Sequence, residues 1–231
     1  DDMEWSLKNP EQLNHGHLSV GFSGPHSGIK ILSAFTRQNP HVRISANMTN
    51  SKNLLEQLAK CQIDIAIVNI VGSVPKYSST FYQFQELKVL VFADHPWAKR
   101  DGIDIRELDG QSVILREKGA ASREHFEKMV AATGIVPHIT LDFNSHEGMK
   151  HAVAERLGVG VAHEMQIDQQ GWLVTLPILG GDIRTAQYLV CLPEYKQSSL
   201  VQSFIEAASS IQQDQKVDSL DLTSKHSRMC E

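Results

Sequence analysis

The chain is 231 residues long with a formal net charge of −5, which suits one two-lobed domain or two small ones. At 41% apolar and 21% charged residues it is composed like a soluble globular protein, not a disordered or membrane-embedded one. The acidic balance argues against a duplex-binding module, which needs a basic face.

The three cysteines, Cys61, Cys191 and Cys230, are odd in number and form no C-x-x-C pair. Neither a disulfide framework nor a zinc site is expected; reduced thiols and a cytoplasmic location are the simpler reading. The opening Asp1-Asp2-Met3-Glu4-Trp5 lacks the basic start and apolar core of a signal peptide, although a cleaved protein would lack them too. Residues 212–231, rich in Gln, Asp, Ser and Lys, read as a disordered tail.

From His17 the pattern alternates strand and helix. HLSVGF (17–22) reads as a strand broken by Gly24-Pro25, and Ile29, Leu32 and Phe35 then recur at helical spacing until Asn39-Pro40. Val42 to Ala46 reads as a strand, Thr49-Asn50-Ser51 as cap material, and Leu54, Leu55 and Leu58 as a helix face. IDIAIV (63–68) is apolar enough for a strand covered on both faces.

A second series starts with KVLVFA (88–93), followed by a helical turn at Ile105–Leu108, a strand at 112–115 and a helix at 122–133 capped by Gly134. After a strand at 139–143, Asn144 with Glu147 forms a capping-box-like pair, and Met149, Val153 and Leu157 line a helix ended by Gly158. Strands at 159–162, 172–176 and 187–192 and a helix through Leu200, Val201, Phe204, Ile205 and Ala208 complete the series. The order βαβαβ, twice, implies an α/β fold with mostly parallel sheets flanked by helices.

Several short segments carry a family likeness. FTRQNP before Val42, LAKCQIDIAIV (58–68), His95-Pro96-Trp97-Ala98 and VAERLGVGV (153–161) occur in an order and spacing that resemble the effector-binding domain of LysR-type transcription regulators, over roughly Gly16 to Ser210. The resemblance implies a two-lobed, periplasmic-binding-protein-like (type 2) fold. Lobe one would take 17–88 and 190–211 and lobe two 89–189, with crossover strands near Leu87–Ala93 and Tyr188–Leu192 as hinges and 1–16 the end of a linker helix. It also implies a homodimer or homotetramer, joined through the first helix and the 42–46 edge. DNA would be reached only through a winged helix-turn-helix missing from these residues.

Leu115-Arg116-Glu117-Lys118-Gly119, Phe22-Ser23-Gly24-Pro25, and Tyr188 to Leu192 with Glu194 are similar to regulators of 2-aminoethylphosphonate breakdown. That branch often has an acid where this chain has Ser23.

In such a fold the ligand sits beyond the carboxyl ends of the strands, where helix N-termini favour an anion. The residues at those joints are Ser23, Gly24, His26 and Ser27; Thr49, Asn50 and Ser51; Asn69; Arg116, Gly119 and Ser122; Asn144 and Ser145; and His163. Thr49 with Ser51 is the leading pair and Arg116 the natural anion clamp, while Glu117 and Glu164 are candidates to meet an amine. A plainer reading competes: Ser51, Ser122 and Asn144 as helix caps, Arg116 in a surface ion pair, His26 in solvent.

Catalysis has little support. Around Ser23 the G-x-S-x-G spacing fails at Pro25. His146 and His151 lie five apart, diverging by about 140° on a helix, so they cannot share a zinc and read as surface residues. No enzyme and no cofactor is expected. A small anionic effector such as 2-aminoethylphosphonate is the expected partner, and a transporter's solute-binding protein is the rival reading.

Overall fold

The computed structural model describes residues 16–164, 171–181 and 183–212. Apart from Gly16 and Gln212, the expected linker remnant and tail lie outside them.

Two βαβαβ units build the molecule. The first comprises β1 (His17–Phe22), α1 (Pro25–Gln38), β2 (Arg43–Met48), α2 (Ser51–Ala59) and β3 (Ile65–Ile70). The second comprises β6 (Ser112–Arg116), α3 (Ala121–Thr133), β7 (His138–Phe143), α4 (His146–Ala154) and β8 (Val159–His163). Between them run β4 (Ser78–Phe92) and the short β5 (Ile103–Asp104); after them come β9 (Leu173–Leu179), β10 (Arg184–Cys191) and the helix α5 over 199–212.

The strand order repeats. In lobe one β2, β1 and β3 are parallel and β10 is antiparallel beside β3; in lobe two β7, β6 and β8 are parallel and β4 is antiparallel beside β8. Each lobe thus keeps the expected run of parallel strands, and the sheet as a whole is mixed because each crossover strand returns from the other lobe in the opposite sense.

β4 makes this visible: Ser78 to Glu86 pair with β10, and Leu87 to Phe92 pair with β8 and β9. The strand begins ten residues before the expected Lys88, since its first half is rich in Ser, Thr and Gln and carries no continuous apolar signal.

Both faces of each sheet are covered. All six residues of β3 are buried: Ile65 and Ile67 face α1 and α5 through Phe35 and Phe204, and Ala66 and Val68 face Leu54 and Leu58 of α2. In lobe two, Phe126 and Met129 of α3 pack on Val113 and Val161, while Met149 and Val153 of α4 pack on Ile114 and Ala162.

Three local expectations change. The buried face of α1 is Ile31, Ala34 and Phe35, and Ile29 is exposed. The cap of α4 is Ser145, whose Oγ accepts from the Gly148 N–H at 3.0 Å, not Asn144. That helix stops at Ala154, and Leu157 is exposed beyond it because Arg156 takes a left-handed turn at φ 64°.

Candidate functional site

The parallel strands of both lobes end at a common seam, where the first turns of α2 and α3 face each other. A small cavity lies there, with room for about one water molecule. Lobe one contributes Ser23, Asn50, Ser51 and Asn69 to its lining; lobe two contributes Arg116, Ala120, Ala121, Ser122 and His163.

Ser51 and Ser122 are not caps. Asn50 caps α2, its Oδ1 accepting from the Asn53 N–H at 2.9 Å, and the α3 cap position is Ala120. Ser51 and Ser122 sit inside the first turns and are buried. The Oγ atoms of Ser23 and Ser51 and Oδ1 of Asn69 are buried without a hydrogen-bond partner in the protein. Each such group ordinarily costs about 1–3 kcal/mol, and all three belong to the lining of one cavity.

The lobes are latched beside it. Asn50 Nδ2 donates to Glu117 Oε1 at 3.0 Å, and the Lys52 N–H donates to the Gly119 carbonyl at 3.3 Å. Gly119 has φ +96°, and a Cβ there would stand 3.2 Å from Asn50 Oδ1 and Lys52 Cβ, so this approach requires a glycine.

Arg116 is committed to the protein itself. Its Nε donates to Glu117 Oε2 at 2.8 Å and Phe143 O at 3.3 Å, Nη2 donates to Glu117 Oε1 at 3.1 Å and Asn144 O at 3.3 Å, and Nη1 meets His146 Nε2. This buried pair is neither the surface ion pair nor an open clamp. Burial raises the Glu117 carboxyl's proton affinity, but the hydrogen bond and charge of Arg116 and the amide of Asn50 outweigh it, leaving its pKa below the usual range.

Contrary to expectation, His146 faces inward: burial first, and then the Arg116 charge, depress its pKa to about 3. His151 is exposed and stacks on Trp172.

The back wall is a hydrogen-bonded chain. Asn69 Nδ2 donates to Gln85 Oε1 at 3.2 Å and contacts His163 Nδ1 at 3.0 Å; His163 Nε2 meets Thr185 Oγ1 at 3.1 Å, and Thr185 Oγ1 meets His125 Nδ1 at 2.7 Å. Since Asn69 donates, His163 accepts at Nδ1 and carries its proton on Nε2, and the Thr185 hydroxyl then donates to His125. Complete burial, with His125 and His146 nearby, lowers the His163 pKa to about 3, so the ring is neutral.

The remaining candidates do other work. Gly24 is the N-cap position of α1, and His26 is exposed. Ser27 bonds Gln187 Oε1 at 2.8 Å and Gln83 Nε2 at 3.0 Å. Thr49 accepts from Asn53 Nδ2, so the leading pair is reduced to Ser51. Asn144 is exposed, as is Glu164, which lies 3.9 Å from Lys88. Sequence reasoning missed Ala120, Ala121, Gln85, Thr185 and His125, and only the two alanines, beside a glycine at a helix start, carried a local signal.

Among the described residues no helix is long and apolar enough to cross a membrane, and no group of three or more His, Cys, Asp or Glu could hold a metal.

The chain is 22% identical over 194 residues to a RuBisCO operon transcriptional regulator of Allochromatium vinosum, covering 82% of this chain and 64% of that protein. It is 22% identical over 211 residues to the HTH-type transcriptional activator CmpR of Synechocystis, covering 89% and 69%. The chain thus spans about two thirds of these relatives.

Two solved structures share the fold. The Synechocystis CcmR regulatory domain in complex with 2-PG has a TM-score of 0.78 at 21% identity, covering 86% of this chain and 98% of that one. The QuiR effector-binding domain in complex with shikimate has 0.77 at 23%, covering 87% and 98%. The LysR substrate binding domain family matches residues 11–211, and the chain belongs to that family.

Proposed function

We propose that this chain is the sensing part of a transcription regulator, which holds a small anionic effector between its lobes and thereby biases the arrangement of a dimer or tetramer. The observation that carries this reading is the pair of buried, unpartnered hydroxyls of Ser23 and Ser51 lining one cavity at the start of α2 and α3, beside Asn69 Oδ1, which only accepts and so calls for a donor on the effector. A carboxylate, phosphate or phosphonate there would accept from the two hydroxyls and from the first-turn N–H groups of α3, which no side chain caps, whereas in α2 the Lys52 and Asn53 N–H groups are already engaged. The relatives' names support the regulatory role, and the complexes with 2-PG and shikimate support a small-molecule ligand.

The positioning residues are Arg116, locked by Glu117, and His163, locked by Asn69. Binding would favour the latched arrangement of lobes hinged at β4 and β10, because the ligand touches both lobes only there. DNA contact would fall to a helix-turn-helix, as the name of the relative CmpR, an HTH-type transcriptional activator, suggests. A 2-aminoethylphosphonate effector would need a carboxylate for its ammonium group; Glu117 is adjacent, although Arg116 and Asn50 already engage it.

The test is a thermal-shift series with phosphonates, phosphates and carboxylates, 2-aminoethylphosphonate included. A site-specific ligand raises Tm with concentration, and Ser23→Ala with Ser51→Ala removes the rise. A rise that survives both substitutions puts the site elsewhere.

A further inference from the structure

A second pocket lies across the back wall from the interlobe cavity. It offers about 530 Å³, within the roughly 300–1,000 Å³ typical of small-molecule sites. It is made by both lobes and the hinge: the end of β3, the middle of α3, the end of β9 with Gly180 and Gly181, and the start of β10.

Its chemistry is two-sided. Ile70, Ile105 and Met129 form an apolar floor continuous with the cores, and Leu179 adds a half-exposed side chain at the rim. Arg106, Lys128 and Arg184 also line it, against Asp104, with Glu124 beside Lys128. Among the described residues, three cations thus stand with two carboxylates around an opening whose floor is hydrocarbon. The inner end reaches His125 and Thr185, the last two members of the chain that runs through His163 to Asn69.

We propose that this pocket binds an amphipathic carboxylate, with its hydrocarbon on the Ile70–Met129 floor and its acid group toward Arg106 and Arg184, and that its occupancy reaches the interlobe cavity through His125, Thr185, His163 and Asn69. Each link accepts on one side and donates on the other, so a change in what His125 faces alters the donor that Thr185 offers it. That in turn alters the bond His163 makes to Thr185 and the one Asn69 makes to His163. Asn69 is also the residue whose Oδ1 is unpartnered at the interlobe cavity. The pocket stands independently of the effector reading; only its link to the cavity rests on that reading.

The test uses straight-chain fatty acids as probes and the histidine ring nitrogens as reporters, by NMR. Octanoate is expected to bind saturably and shift the His125 resonances, and shortening the chain should weaken binding about fourfold per methylene. Ala132→Trp, at an exposed position on the pocket wall, should abolish binding while leaving the fold intact, and Arg106→Glu should weaken it. Octanoate should also shift His163 in the wild type and in Thr185→Ser, but not in Thr185→Val.

Absence of octanoate binding, binding indifferent to Ala132→Trp, or affinity indifferent to chain length overturns the pocket. A His163 resonance that stays fixed while His125 moves, or moves equally in Thr185→Val, overturns the link. None of these outcomes bears on the anion thermal shift, so failure of the two readings is distinguishable.

Discussion

The small cavity between the lobes and the large pocket behind it share one wall and almost nothing else. The cavity is lined by hydroxyls, amides and helix starts, and three of its polar atoms have no partner. The pocket is floored by side chains of the apolar cores, and the polar atoms at its inner end already bond one another. A site of the first kind selects by hydrogen bonds left unmade, so it discriminates sharply between ligands that can and cannot complete them. A site of the second kind selects by shape and area, and tolerates related molecules.

Acid should disturb the polar side first and most. His146 and His163 both have pKa values near 3 in the folded chain, below the ordinary value of about 6.5. The unfolded chain therefore takes up protons first. Their contribution to stability is complete above about pH 6.5 and is lost as pH falls toward 3, at up to about 1.4 kcal/mol per pH unit for each ring. Urea unfolding followed from pH 7 to pH 4 should show a loss of several kcal/mol, and His163→Gln should flatten the slope. A flat profile would show that neither ring is held neutral.

Cutting the shared wall comes next. Asn69→Leu removes the donor to Gln85 and His163 and leaves two buried acceptors unpaired, which should cost about 3 kcal/mol. Glu117→Ala should cost less stability but weaken effector binding, because it strips Arg116 of its bidentate partner and opens the latch to Asn50; titration calorimetry would read the loss.

The smallest effect is the most discriminating. Ser51→Ala removes a hydroxyl that bonds nothing in the protein, so stability should not fall, the cost of an unpartnered buried group being relieved, while the anion-induced Tm rise disappears. Ser145→Ala should do the reverse, losing about 1 kcal/mol of helix capping with the rise retained.

The same two regions explain what was legible in the sequence. The repeated strand-helix order shows where helices start at strand ends, which put Ser23, Asn50, Ser51, Asn69, Ser122 and His163 at the joints, and only the family resemblance implied that the joints of two lobes meet at one seam. Cap geometry was less legible, since Asn50 against Ser51 and Ser145 against Asn144 differ only in which side chain turns back. The wall was not legible at all. Asn69 meets His163 across 94 positions and His125 meets Thr185 across 60, through β4 and β10. β4 in turn was half hidden, because Gln83 and Gln85 point inward to polar partners while Phe81 and Phe84 are exposed. An inverted polar pattern of that kind gives no hydrophobic period to read.

Gly119 bears on time as well as shape. Its missing side chain lets the Lys52 N–H hydrogen-bond across the seam beside the interlobe cavity, and on the proposed function separation of the lobes, and with it release of the ligand, would break that bond. An added methyl would prop the seam ajar, speeding entry and escape together, so Gly119→Ala should shorten the ligand's dwell time more than it changes the equilibrium. On the proposed function, the persistence of the bound state would thus be set by a residue that offers the ligand no side chain.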